Sequence, residues 1–315
     1  MNQFISIRFL TTILLSFLYI QSAQATLGKW LYETNRSMEA WIAGLDERTT
    51  EVEGDVWHYY VKGDQKVHDT CTVLVHGFTA EGSHWFRFAR HLDSHCIIIP
   101  DLPAFGTSSY TSDKQYTAPA QAERLHQFLS QLNISSKFNF AGSSMGGHII
   151  TTYALMFPDQ VKSLALFNAG GVTSPSPSEM DIQVKQTGKS LFEVESIDDY
   201  RAMFSQTMSD PPWMPGMVME YIAEETIKRT PRHRVIFSQT YKRDLLDQRL
   251  KEIQAPTMII WGEEDKLLHK DMVAVFANGI QNSQTVTLPG VGHLPFLEQP
   301  GDTADIYSKF IKTDK

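Results

Sequence analysis

The apolar residues of this chain follow two rhythms. Short unbroken apolar runs occur at residues 71–77 (CTVLVHG), 96–101 (CIIIPD), 137–143 (KFNFAGS), 161–171 (VKSLALFNAGG), 257–262 (TMIIWG) and 284–290 (QTVTLPG). Runs of this length without polar alternation predict strands covered on both faces, as in a parallel sheet. Between and after them, apolar residues recur at three- and four-residue spacing over 83–92, 117–132, 145–157, 271–279 and 302–312, which predicts helices. Thr117 is the N-cap expected for the second of these, with Pro119 in its first turn, and Pro158 stops the third. Strand and helix in alternation predict βαβ units, hence an α/β class with a mostly parallel central sheet flanked by helices. Upstream, Leu31, Met38, Trp41, Ile42 and Leu45 give residues 26–50 helical spacing with a polar back face. Packing on the body is the simpler role for that helix, and contact with a membrane surface is the other. Val56–Val61 (VWHYYV) reads as a further strand with a turn signal at Gly63-Asp64.

Two segments break the alternation. Residues 1–25 carry one charge, Arg8, then the apolar stretch 9–20 (FLTTILLSFLYI), and end on Ala23-Gln24-Ala25. This is the layout of a secretory signal peptide, so the mature domain is expected over 26–315 and its location outside the cytoplasm, secreted, periplasmic or at an outer membrane. The apolar run is short of the ~20 residues needed to span a bilayer. An uncleaved N-terminal membrane anchor is the alternative. No Cys follows the run to carry a lipid. The second break, residues 172–254, opens on a Ser/Pro-rich loop and then reads as several helices. It holds Met180, Met203, Met208, Met214, Met217 and Met219. An insertion of this length at a strand end is read as a helical cap over a site, whose thioethers suit an adaptable apolar surface. The bland reading is a subdomain whose Met residues fill its own core.

Composition removes several classes of function. The formal net charge is −8, one unit lower once Arg8 is cleaved away, which argues against nucleic acid as a partner. No CxxC or HExxH occurs among the 315 residues, so no metal is expected. In an exported chain the two cysteines, Cys71 and Cys96, are a possible disulfide, with two buried free thiols as the alternative.

Chemistry is suggested first by Gly142-Ser143-Ser144-Met145-Gly146, a G-x-S-x-G that falls between a predicted strand and a predicted helix. A strand-to-helix turn this sharp crowds the backbone, and glycines relieve it. An ordinary Gly-rich connection has the same composition, so the partners decide. A nucleophilic serine needs a base, and the base needs an orienting acid. His293, in Gly290-Val291-Gly292-His293, and Asp265, in the segment Gly262-Glu263-Glu264-Asp265, each follow a predicted strand. Along the chain the three run Ser144, Asp265, His293, and each lies just past a predicted strand. Asn168, another place where an acid could stand, is not a carboxylate, and Glu263 and Glu264 are rivals to Asp265. After the run 71–75, His76-Gly77-Phe78 can turn the Phe78 N–H toward the serine together with the Met145 N–H, as an oxyanion hole. His76 is read as a structural group that ties this loop down.

HGF (76–78), DLPAFGTS (101–108), GSSMGG (142–147), Gly262 to Asp265 and Gly292-His293 together resemble the α/β-hydrolase superfamily, over nearly the whole chain from about Val56. Within it the chain resembles bacterial lipases related to mammalian monoacylglycerol lipases. One departure is Ala104, where the family usually has glycine. The resemblance implies an α/β-hydrolase fold with an inserted cap and no cofactor. Ser144 would be the nucleophile, His293 the base and Asp265 its orienting acid. Together with the signal-peptide layout it implies an exported carboxylic-ester hydrolase acting on acyl-glycerol or other lipid esters, with a possible transient contact with a lipid surface and no protein partner. Members that attack with a carboxylate would carry Asp at position 144. A carbon–carbon bond hydrolase of aromatic ring-cleavage products uses the same triad and is the alternative. Cofactor-free haloperoxidase-like proteins and a non-enzymatic binding protein on this scaffold are minor ones.

Overall fold

A computed structural model describes residues 26–63, 70–94, 96–132, 134 and 137–313. Residues 1–25, expected to be a signal peptide, and Asp64 of the predicted turn lie outside them. The strands are β1 (Asp46–Val52), β2 (Asp55–Lys62), β3 (Cys71–Val75), β4 (Ile97–Pro100), β5 (Phe138–Ser143), β6 (Val161–Phe167), β7 (Thr257–Gly262) and β8 (Ser283–Leu288). They form one eight-stranded sheet in the order β1-β2-β4-β3-β5-β6-β7-β8. Strands β3 to β8 are parallel, and the β1–β2 hairpin joins antiparallel through β2 and β4. β3, β4, β5 and β7 are buried along their whole length, which is why each reads as an unbroken apolar run.

Two layers of helices bury the two faces. Leu125 and Phe128 of α3 (Ala118–Gln131), Ile149 and Tyr153 of α4 (Met145–Met156) and Phe276 of α8 (Met272–Gly279) pack with Val73, Phe140, Leu166 and Ile259. On the other face Phe86 and Phe88 of α2 (Phe86–Ala89), Phe296 of α9 (Pro295–Glu298) and Tyr307 of α10 (Pro300–Thr313) pack with Leu74, Ile99, Phe167 and Ile260. Cys71 and Cys96 are joined as a disulfide, with Cα atoms 4.7 Å apart.

The stretch between β6 and β7 carries α5 (Glu179–Thr187), α6 (Ile197–Thr207) and α7 (Gly216–Thr240). Met180 and Met203 join Phe192, Tyr200 and Leu267 in a separate apolar cluster.

Three elements differ from the sequence expectation. The first helix, α1, covers residues 26–43 and stops where Gly44 takes φ +69°. The remainder of the expected 26–50 helix is β1, an edge strand whose residues are almost all exposed and therefore carry no apolar period. The strand expected over 161–171 ends at Phe167, because Asn168 turns the chain at φ +43°. The helix expected over 83–92 is a 3₁₀ turn (Gly82–Trp85) followed by the single turn α2.

The α4–β5 turn depends on missing side chains. A Cβ on Gly146 would stand 2.4 Å from the Val75 carbonyl oxygen, and one on Gly147 would stand 2.4 Å from Ala169 Cβ. Gly146 faces backbone that cannot retreat. Gly146→Ala is therefore expected to lower the melting temperature by about 5 °C or more, roughly 3 kcal/mol at this chain length, read by thermal denaturation. A melting curve that overlays wild type contradicts this packing.

Candidate active site

Ser144 stands between the end of β5 and the start of α4 with φ 53° and ψ −117°, a conformation rarely held by a residue with a side chain. Its N–H donates to the Phe167 carbonyl (3.0 Å), and its carbonyl accepts from Gly170 N–H (2.9 Å) and His148 N–H (3.2 Å). These bonds to β6 and α4 hold the turn in its strained shape. Gly77 presses on it from the other side: a Cβ there would lie 3.1 Å from Ser144 Cβ.

Asp265 and His293 are brought together by the loops after β7 and β8. Their side chains are 0% and 4% exposed, and Asp265 Oδ2 lies 2.7 Å from His293 Nδ1. The carboxylate takes three further hydrogen bonds. Leu267 N–H and Leu268 N–H donate to Oδ1 (2.8 and 3.0 Å), and the Asn168 side-chain amide donates to Oδ2 (2.6 Å). Asn168 is itself held, since its Oδ1 accepts from Gly262 N–H (3.1 Å). Of the acids in the segment 262–265, Asp265 is the one that faces the histidine; Glu263 and Glu264 are exposed. Position 168 lacks a carboxylate, yet its amide belongs to the site.

The histidine loop is anchored to the insertion. His293 N–H donates to the Thr207 carbonyl at the end of α6 (2.9 Å). Glu298 in α9 accepts from Gly292 N–H (3.0 Å) and also from Ser209 and Asp210 N–H (2.8 and 3.0 Å). Neither Asn168 nor Glu298 was legible as a site residue. The available signal was position alone, the first residue past β6 and a carboxylate five residues after His293.

The loop 76–78 also lies beside the serine. Met145 opens α4, so its N–H has no intrahelical acceptor. Among the described residues no protein acceptor takes the Phe78 N–H either. His76 is buried; its Nε2 accepts from Leu102 N–H (3.0 Å), which leaves Nδ1–H to donate to the Gly77 carbonyl (2.8 Å). Burial pulls its pKa down to about 4, so the ring is neutral and structural. Ala104 holds φ +77° in a fully buried turn, the conformation for which glycine is the usual residue.

Two cavities open on Ser144, of about 340 and about 170 Å³. His293 lines the larger one and Met145 the smaller, while Phe78 and Phe192 stand in the walls of both. Met203, Met208 and Met214 also line the larger cavity, so the insertion's methionines fill its own core and face the site. Among the described residues no cluster of three or more His, Cys, Asp or Glu could hold a metal. Among the same residues no helix is long and apolar enough to cross a membrane.

The family model for the alpha/beta hydrolase fold matches residues 73–300. The chain belongs to this family. As an α/β hydrolase it is 32% identical to Lipase 1 of Psychrobacter immobilis over 283 residues, 89% of this chain and 86% of that protein. It is 25% identical to the monoacylglycerol lipase ABHD6 of Mus musculus over 255 residues, 78% and 76% of the two chains. Its fold superposes on the crystal structure of a bacterial membrane phospholipase A with a TM-score of 0.88, at 30% identity over 98% of each chain.

Two outcomes are expected of this hydrolase site. Asn168→Ala removes one donor to a shared carboxylate oxygen and the acceptor of Gly262 N–H, so the melting temperature should drop, and kcat for a soluble ester, measured below that transition, should fall about tenfold. An unchanged kcat means that Asp265 is oriented without Asn168. The second concerns His76. Its pKa is lower in the folded chain than the ordinary value of about 6.5, so acid protonates the unfolded chain first. This group's contribution to stability is complete above about pH 6.5 and is lost as pH falls toward 4. In NMR of histidine-labelled protein, the His76 ring should titrate near pH 4; a midpoint near 6.5 contradicts its burial.

Proposed function

We propose that this chain is an exported serine carboxylic-ester hydrolase of the lipase type, cleaving lipid esters through Ser144, His293 and Asp265. The observation that carries the reading is the buried 2.7 Å Asp265–His293 pair, whose histidine lines the same cavity as Ser144. Similarity to lipases over most of the chain supports the ester as substrate.

Ser144 Oγ bonds to the ester carbonyl carbon as its proton passes to His293 Nε2. Asp265 holds the ring with Nδ1 protonated and stabilises the cation that forms. The N–H groups of Phe78 and Met145 take the carbonyl oxygen as it becomes negative, a contribution of roughly 3 kcal/mol per donor. The bond from that carbon to the alkoxy oxygen breaks, and His293 gives its proton to the departing alcohol. Water, deprotonated by His293, then cleaves the acyl-Ser144 ester, releases the acid and restores the serine. Ser144→Ala should lower kcat by about 10³-fold or more on a panel of p-nitrophenyl and glyceride esters from acetyl to oleoyl. Wild-type rates in that variant exclude the mechanism.

Export is supported by the signal-peptide layout of residues 1–25 and by the Cys71–Cys96 pair, which suits an oxidising compartment. Contact with a lipid surface is supported by α1, whose polarity is inverted. Tyr32 donates to Glu81 (2.6 Å) and Glu39 takes Arg87 (2.7 Å) on the inner side. Trp30, Met38, Trp41 and Ile42 are exposed on the outer side, Trp41 at 80%. Trp213, 86% exposed, stands between Pro212 and Met214 at the larger cavity. Aromatic rings of this kind partition to a membrane–water interface. The mature protein should co-sediment with phospholipid vesicles. Trp41→Ser with Trp213→Ser should cut the bound fraction about tenfold while hydrolysis of a soluble ester persists. Equal sedimentation of wild type and variant removes the surface from the proposal.

A further inference from the structure

The two cavities share Ser144 unequally, and that asymmetry bears on the substrate. On the serine-hydrolase reading above, His293 must hand its proton to the departing alkoxy oxygen. The alcohol therefore leaves on the side His293 lines, the larger cavity, and the acyl chain lies on the other. The smaller cavity suits an acyl chain: Met180, Phe237, Leu245, Leu268 and Met272 stand in its wall, while of its charged residues Asp181 is paired with Lys242 (2.9 Å) and Arg243 is exposed to solvent.

The larger cavity has two unlike walls. Met203, Phe204, Met208, Leu294 and Leu297 make one apolar side. The other side is ionic, built from α1, the loop after β3 and α7. Nearly every charge there is answered within the protein. Glu39 pairs with Arg87 (2.7 Å), Glu225 with Lys228 (2.6 Å), Glu33 with Lys29 (3.8 Å) and Arg36 with Glu47 (3.7 Å). Glu81 accepts from Tyr32 and Ser83 hydroxyls (2.6 and 2.7 Å). Arg229 is the exception: half-buried in the same wall, it has no ion-pair or hydrogen-bond partner among the described residues. It lies one helical turn before His233, whose ring is 5.7 Å from that of Phe78 beside Ser144.

We propose that Arg229 binds the phosphate of the leaving alcohol, so that the substrates are glycerophospholipids. The scissile acyl chain occupies the smaller cavity. The departing lysophospholipid occupies the larger one, its remaining chain on the methionine and leucine wall and its phosphate on Arg229. A guanidinium meets two phosphate oxygens at once, which a neutral glyceride cannot offer. A diacylglycerol fills the same apolar surfaces and leaves the cation unmet.

The test compares full-length mature enzyme on phosphatidylglycerol and on diacylglycerol with the same acyl chains, in mixed micelles. Wild type should favour the phospholipid in kcat/KM. Arg229→Gln should lower the phospholipid-to-diacylglycerol ratio about tenfold, equivalent to roughly 1.4 kcal/mol, and Arg229→Lys should restore part of it. A ratio that does not move in Arg229→Gln overturns the assignment. A second measurement needs only wild type. A non-hydrolysable alkyl-ether lysophospholipid should inhibit p-nitrophenyl butyrate hydrolysis about tenfold more strongly than the alkylglycerol of equal chain length. Equal inhibition by the two overturns the phosphate site. Failure of wild type to cleave p-nitrophenyl butyrate at all would instead sink the esterase reading on which the phosphate site rests.

Discussion

The buried carboxylate of Asp265 is the constraint around which the strand ends are arranged. A carboxylate with no exposed surface is tolerable only when its oxygens are met by donors. Here four donors come from three loops: Asn168 after β6, Leu267 and Leu268 within the loop after β7, and His293 after β8. Each donor stands close behind the strand that precedes it, so satisfying the acid also fixes where each strand must stop. The register of β6, β7 and β8 and the position of the imidazole are two aspects of one hydrogen-bond network.

Strain collects in the same region. Of the non-glycine residues with positive φ, Thr79, Ala104, Ser144 and Asn168 all lie in loops that follow the carboxyl ends of β3, β4, β5 and β6. Such conformations cost about 1–3 kcal/mol each and persist only where surrounding contacts over-determine them. The contacts are present: the Ser144 backbone bonds to Phe167, His148 and Gly170, and Asn168 is bonded at both ends of its amide. A sheet buried on both faces provides the stiffness that keeps these turns from relaxing.

Much of this was legible in the sequence because it rests on composition and spacing. Strands buried on both faces appear as unbroken apolar runs, and a turn that crowds its neighbours appears as glycines around one serine. What stayed hidden rests on direction. Asn168 reads as the lack of an acid, since nothing in the sequence says where its amide points. β1 was absorbed into the preceding helix because an exposed edge strand has no apolar alternation, and only Gly44 marks the break. The ionic wall of the larger cavity is assembled from segments almost two hundred residues apart, α1 and α7, so no local pattern announces it.

Glu298 bears on how this scaffold can be altered. Its one carboxylate grips the backbone on both sides of His293, at Gly292 and Leu294, and the insertion at Ser209 and Asp210. The insertion is thus part of the mounting for the imidazole as well as part of the lining of both cavities. A chimera that exchanged residues 172–254 for another helical module would inherit a histidine loop cut from half its supports, unless residues 207–210 were carried over as one unit with Glu298. In this fold the insertion and the imidazole form one mechanical part.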